Sequence, residues 1–245
     1  MAQSPPPDPA AARATVEVLH VDLAALGGEL GACAAVLSPD ERARAERYAF
    51  PRLKRRFVLR RGMLRRAIAA RIGVPAAGVA FVEGAQGKPA LVPPAALHFN
   101  LTDTEDDVVV ALCATHPVGV DAERRRRLDD GDGVARHIMG AAEFAAYGAL
   151  AAARRPDALM RVWTAKEAVV KALGTGLSRP LESIEVRVAA HGPARLLRLD
   201  GDDAARWSLH DLALRPGLQV TLALRCADAR VTLRPGREAA LDAKI

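Results

Sequence analysis

A mixed α+β (α/β) fold is predicted by three observations. Helical signals and strand signals come in blocks, with helices followed by several short strands. That order occurs once before residue 115 and again after residue 117, so the arrangement looks duplicated, with a joint at Thr115, His116 and Pro117. The length of 245 residues equals one large domain or two small ones at about 150 residues per domain. No sequence-level repeat accompanies the duplication.

Alternation over residues 15–21 predicts a first, half-buried strand. Ser38, Pro39, Asp40 and Glu41 form a capping box with proline at the first helical position, so a short helix starts there. Pro51 stops it and opens a second helix, in which Leu53, Phe57, Leu64, Ile68 and Ile72 recur at spacings of four or seven until Gly73. Its arginines then occupy the remaining, solvated faces. Strands are expected at 79–83, 97–100 and 108–113, with a turn at 84–89, and Pro117 leads into a strand over 118–123. Residues 124–133 read as a loop, and helices follow at about 140–153 and 156–173, the latter stopped by Gly174. From residue 183 the runs 183–188, 195–199, 207–212 and 218–225 alternate and are broken by Gly, Pro and Asp, which predicts an antiparallel meander. The expected organisation is a loose tail at 1–13, subdomains at 14–114 and 115–230, and a peripheral extension at 231–245.

With 50% hydrophobic and 26% charged residues, the chain has the composition of a soluble globular protein. No apolar run in the chain approaches the roughly 18 residues of a membrane span. The N-terminus has neither a basic start nor an apolar run, so no secretory signal is expected and the cytoplasm is the expected compartment. Cys33, Cys113 and Cys226 are odd in number and far apart, which suggests neither disulfides nor a zinc cluster. The net charge of +6 is unevenly placed. Residues 42–71 hold twelve bases against one acid, Glu46, for +11, and the remainder holds 23 bases against 28 acids, for −5. That basic segment has only Tyr48, Phe50 and Phe57 for aromatic company and no recognised reading motif, so no nucleic acid partner is expected.

In the strand from Val118 to Glu123, a period of two places Asp121 and Glu123 on one face, opposite Val118, Val120 and Ala122. In the last long helix, Val162, Ala165, Val169, Ala172 and Leu173 form a buried stripe, while Trp163, Glu167 and Lys171 form a second one at spacings of four. Taken singly, these are a solvated strand end and an exposed Glu–Lys pair. Taken together, three carboxylates supply hard oxygen ligands for magnesium, completed by a ligand's phosphates and water. Lys171, one turn beyond Glu167, would neutralise the same phosphates.

This set, in this order, resembles the 4′-phosphopantetheinyl transferase superfamily in its large pseudo-dimeric form, associated with surfactin-type synthetases. The matching motifs are Gly87-Lys88-Pro89, Phe99-Asn100-Leu101-Thr102, Gly119-Val120-Asp121-Ala122-Glu123, and the long run from Trp163 through Lys166, Glu167, Lys171, Gly174 and Gly176 to Leu177. The resemblance covers about residues 38–182. It implies a monomeric pseudo-dimer of two similar subdomains, each with helices on a small, mainly antiparallel sheet, and a site at their interface. It further implies transfer of the phosphopantetheine arm of coenzyme A to a serine of an apo acyl or peptidyl carrier protein, with release of adenosine 3′,5′-bisphosphate. Magnesium would be held by Asp121, Glu123 and Glu167, with Glu167, Asp121 and Lys171 as catalytic groups and Glu167 accepting the serine proton. Coenzyme A would be bound by Arg44, Arg61, Lys88, Asp121, Lys166 and Lys171, with Arg61 at its 3′-phosphate. One position departs from the family pattern: Asp103 stands where the common motif has a histidine that contacts the diphosphate. The alternative is therefore a module that binds coenzyme A or a carrier protein with little or no turnover.

Overall fold

The computed structural model describes residues 13–84, 86–93 and 96–235. The expected tail, apart from Arg13, Ala85 of the expected turn and residues 236–245 of the expected extension lie outside the described residues.

The chain opens with β1 (Ala14–Asp22), then α1 (Leu30–Ala35), α2 (Pro39–Glu46) and α3 (Pro51–Ile72). The capping box of α2 closes in both directions. Glu41 N donates to Ser38 Oγ over 3.2 Å, and Ser38 N donates to Glu41 Oε2 over 2.9 Å. Gly73 ends α3 at φ 70°, a left-handed cap that a residue with a Cβ adopts only at a cost. A hairpin of β2 (Phe81–Glu83) and β3 (Pro89–Leu91) precedes β4 (His98–Thr104), β5 (Asp107–Cys113) and β6 (Val118–Arg124). After α4 (Gly131–Ile138), α5 (Ala141–Gly148) and α6 (Arg155–Leu173) come β7 (Ile184–Val186), β8 (Leu196–Leu199), β9 (Ser208–Asp211), β10 (Leu218–Leu224) and β11 (Ala229–Pro235).

These strands make a four-stranded sheet in the order β11-β1-β5-β4, a three-stranded sheet β6-β10-β9, and the small pairs β2-β3 and β7-β8. All pairings are antiparallel except β1 with β11. The expected meander after residue 183 is thus split, with β7-β8 as a separate hairpin and β9 and β10 extending β6. Residues 231–235 are not peripheral. They continue β11, which returns to cover the open edge of β1 from Ala14↔Ala229 to His20↔Pro235.

Helix α3 packs Phe57, Leu64 and Ile68 on one face of the first sheet, with Leu19, Val21, Val110 and Leu112 beneath them. Helix α6 likewise packs Val162, Ala165 and Val169 against Ala223 of the second sheet. The remaining faces meet each other, Val16, Val18, Val109 and Ala111 with Val118, Val120, Val220 and Leu222, so the two sheets share a core. α3 is buried more widely than its apolar stripe predicts. Arg65 and Arg66 are buried, at 3% and 8% exposure, rather than solvated. Each reaches a carboxylate, Glu41 at 2.6 Å and Glu29 at 2.8 Å, and a buried charge needs such a partner.

Candidate active site

The alternation of β6 sends Val118, Val120 and Ala122 into the core between the sheets and Gly119 and Asp121 toward α6. Gly119 is required there by close approach. A Cβ at this position would lie 2.9 Å from the carbonyl carbon of Lys171 and nearer still to Ala168 O and Ala172 N. Strand and helix backbones therefore touch, and the next outward residue, Asp121, meets a side chain of α6. Lys171 Nζ donates to Asp121 Oδ1 over 2.6 Å and to Val120 O over 3.3 Å. From β4, Thr102 Oγ1 lies 3.4 Å from both Asp121 Oδ1 and Lys171 Nζ, and Asn100 Oδ1 accepts the Val120 N–H at 2.8 Å, which fixes β4 against β6.

Asp121 is 5% exposed, and its Oδ2 is buried with no hydrogen-bond partner among the described residues. Burial pushes the Glu167 carboxyl up, and the charges of Asp121 and Glu123 push the same way against Lys171. Glu123 is likewise raised, first by burial and then by Asp121, while Arg126, Lys171 and a hydrogen bond from Trp163 oppose the rise. Two carboxyls raised by burial and by the charge of Asp121, beside that aspartate's orphaned oxygen and one ammonium, have the donor chemistry of a site for a hard divalent cation. Lys171 holds Asp121 in this arrangement, and no group of three His, Cys, Asp or Glu side chains among the described residues is already gathered around a metal position.

Beside these groups opens a cavity of about 840 Å³, lined by Arg44, Arg60, Arg61, Phe81, Asn100 and Asp103 among others. Its size suits a nucleotide-sized ligand. Arg61 is fixed in the wall from two sides: its Nε donates to Glu41 Oε1, and its guanidinium lies 4.1 Å from the centre of the Phe81 ring, a cation–π contact. Arg44 lies 5.5 Å over Phe57. Burial would raise Glu41, but hydrogen bonds from Arg65, the Ser38 backbone and Arg61 outweigh it and hold the carboxyl below its ordinary range.

Of the residues expected at the site, Asp121, Glu123, Glu167 and Lys171 are brought together, and Arg44 and Arg61 line the cavity. Lys166 and Lys88 are not. Lys166 is wholly buried on the other side of α6, and its three donor positions go to Glu143 Oε2 at 2.6 Å, Ile138 O at 2.7 Å and Leu181 O at 3.0 Å. Its neighbours on the helix, Ala165 and Ala168, belong to the same core, so it has no path to a ligand. Burial lowers its pKa, against the opposing pull of Glu143. Lys88 crosses to the second half, where Nζ donates to Val118 O over 3.0 Å and Lys171 O over 2.5 Å, and burial pushes it down to about 8. It ties β6 to the end of α6 rather than facing the cavity. Sequence reasoning assigns no positioning role to Glu41, Thr102 or Trp163. For Glu41 a signal exists, since a capping-box glutamate uses one oxygen for its cap and leaves the other for an arginine.

The sequence matches the family model of the 4′-phosphopantetheinyl transferase superfamily over residues 117–225, which include β6 and α6. The 4′-phosphopantetheinyl transferase HetI of Nostoc sp. strain PCC 7120 is 35% identical over 182 residues, 73% of this chain and 74% of its own. The 4′-phosphopantetheinyl transferase psf-1 of Bacillus pumilus is 31% identical over 77% of this chain and 79% of its own. A 4′-phosphopantetheinyl transferase of Bacillus subtilis is 26% identical over 76% of this chain and 81% of its own. These similarities extend well beyond the one helix and one strand that carry the carboxylates, and the chain belongs to the 4′-phosphopantetheinyl transferase superfamily.

Proposed function

We propose that the protein transfers the 4′-phosphopantetheine arm of coenzyme A to a serine of an apo acyl or peptidyl carrier protein, with magnesium, and releases adenosine 3′,5′-bisphosphate. The observation that carries this reading is the meeting of Asp121, Glu123, Glu167 and Lys171 next to an arginine-lined cavity. Asp121, Glu123 and Glu167 would hold the metal, and the orphaned Asp121 Oδ2 and the uncompensated negative charge support that assignment. Magnesium, when bound, supplies positive charge at the diphosphate and its leaving oxygen.

The protein's own groups do the rest. Arg61, pre-set by Glu41 and Phe81, takes the 3′-phosphate, with Arg44 beside it. Lys171 neutralises the diphosphate. The serine oxygen attacks the phosphorus that bears pantetheine, a new P–O bond forms, and the bond to the adenosine-side phosphate oxygen breaks. Glu167 takes the serine proton, a role helped by burial and by Asp121, which make its carboxylate more basic than an exposed one.

The protein acts as a monomer in this reading, since one chain supplies both β4 and α6 to the site. The cytoplasm is the proposed compartment, consistent with three buried cysteines that form no disulfide among the described residues. Among the described residues no helix is long and apolar enough to cross a membrane. The complete set of carboxylates favours turnover over a module that only binds. Incubation with coenzyme A, magnesium and a panel of apo carrier proteins should add the mass of one phosphopantetheine arm to a carrier. A panel in which no carrier gains that mass would overturn the proposal.

A further inference from the structure

Asp103 lies in the cavity wall on β4. Taken alone, a carboxylate there would repel a diphosphate. It does not stand alone, because Arg60 Nη1 donates to its Oδ1 and Arg56 Nη2 lies 3.8 Å from its Oδ2. Arg56 Nε also lies 3.7 Å from Asp106 Oδ1. Among the described residues Asp103 is the one hydrogen-bond partner of Arg60, so Nε and Nη2 of that guanidinium have no acceptor there. Both side chains of the pair are 28% exposed, so the guanidinium is held in place while remaining open to a ligand.

The position of the pair along the cavity selects the group it would meet. Thr102, the residue before Asp103, is the one whose hydroxyl reaches Asp121 and Lys171. Asp103 leaves the opposite face of β4, so the Asp103–Arg60 pair stands on the α3 side of the strand, one residue along from that contact. Arg61 and Arg44 stand where the wall is built by Glu41, Phe57 and Phe81.

We propose that Asp103 is a positioning residue, which holds the guanidinium of Arg60 in the cavity wall for the diphosphate of coenzyme A. This rests on the proposed transferase reading. An arginine side chain is costly to order, and one already held by a carboxylate binds an anion without meeting that cost again. The acid adds one negative charge to the wall and gives in return an oriented, two-donor cation.

The sign of one substitution separates this from plain charge repulsion. If Asp103 only repels, Asp103→Asn tightens coenzyme A; if it positions Arg60, the same change weakens it. Titration calorimetry with coenzyme A and magnesium, without carrier protein, should show Asp103→Asn weakened about tenfold, the scale of one charge-assisted hydrogen bond. Arg60→Gln should lose at least as much, the double variant no more than Arg60→Gln alone, and Asp103→Glu should recover part of the loss. The same factors should appear with 3′-dephospho-coenzyme A, whereas an Arg61→Gln loss should vanish with that ligand. The KM for carrier protein should not move. Thermal unfolding of each variant keeps folding defects apart from binding. Coenzyme A bound by Asp103→Asn as tightly as by the native protein, or additive losses in the double variant, would overturn the proposal. Native protein that fails to bind coenzyme A at all would overturn the transferase reading itself, before any variant is compared.

Discussion

Replacing Gly119 by alanine tests whether the contact between β6 and α6 builds the site. The new Cβ would meet Lys171 C at 2.9 Å, with Ala168 O and Ala172 N closer still. All three are backbone atoms, so no side chain can rotate away. Restoring an ordinary separation of about 3.5 Å requires helix and strand to part by roughly 1 Å or more. Overpacking of this kind costs about 1–3 kcal/mol, which for a chain of this size lowers the melting temperature by about 2–12 °C. The effect on catalysis should be larger, because Asp121 rides on the strand and Glu167 and Lys171 on the helix. A misplacement of about 1 Å costs on the order of a hundredfold in rate. The cavity arginines lie on α2 and α3, so coenzyme A affinity should fall far less than kcat. Differential scanning calorimetry, a carrier-loading assay and coenzyme A titration read the three quantities. A Gly119→Ala protein with native melting temperature and native kcat would refute the reasoning.

Three further changes separate structure from chemistry. Lys166→Met leaves Glu143 buried at 2% exposure without its cation. Urea unfolding should then show a loss of about 3–5 kcal/mol while the folded fraction keeps its KM for coenzyme A; a raised KM would return Lys166 to the site. Glu167→Gln should lower carrier loading by about 10²–10⁴ with an unchanged melting temperature, and a variant of native rate would remove Glu167 from proton transfer. For Lys88 the folded pKa of about 8 lies below the ordinary 10.5, so the folded state holds this proton less tightly and stability from it grows as pH rises from about 8 to 10.5. The difference in unfolding free energy between native protein and Lys88→Met should therefore increase over that window, by at most about 3 kcal/mol, and a difference that stays flat would count against the burial of the amine.

What can be read from the sequence is what depends on periodicity. The alternation at Val118 to Glu123 and the roughly 100° steps of α6 put Asp121, Glu123, Glu167 and Lys171 on the correct faces without knowledge of any contact. Periodicity says nothing about which elements meet. Lys166 and Glu167 are adjacent in the same motif, yet one points into a core with Glu143 and the other toward β6, and only the packing of α5 and the β7 region against α6 decides this. Lys88 departs from its expected place for a similar reason. Its carbonyl partners, Val118 and Lys171, are 30 and 83 residues away. The parallel return of β11 to β1 has no local signal either, because an open strand edge is a property of the assembled sheet.

The concentrated charge of residues 42–71 shows how the two sources of information combine. As a sequence the segment is +11 and reads as a solvated basic face, with the acids elsewhere. In the fold, acids come to meet it. Glu17 pairs with Arg71, Glu29 with Arg66, Glu41 with Arg61 and Arg65, and Asp103 and Asp106 with Arg56 and Arg60. These pairs do not cancel the basicity evenly. Arg65, which also donates to Val79 O at 2.8 Å, becomes part of the scaffold. Arg60 and Arg61 each give one donor to a carboxylate and keep a place in the cavity wall, while Arg44 and Arg47 line it with no ion-pair partner among the described residues. Each acid thus converts a flexible cation into an oriented one. If the cavity takes the phosphates as proposed, its selectivity would lie in the carboxylates as much as in the arginines, so neutralising Glu41 or Asp103 should cost affinity for a phosphorylated ligand even though it makes the cavity more positive.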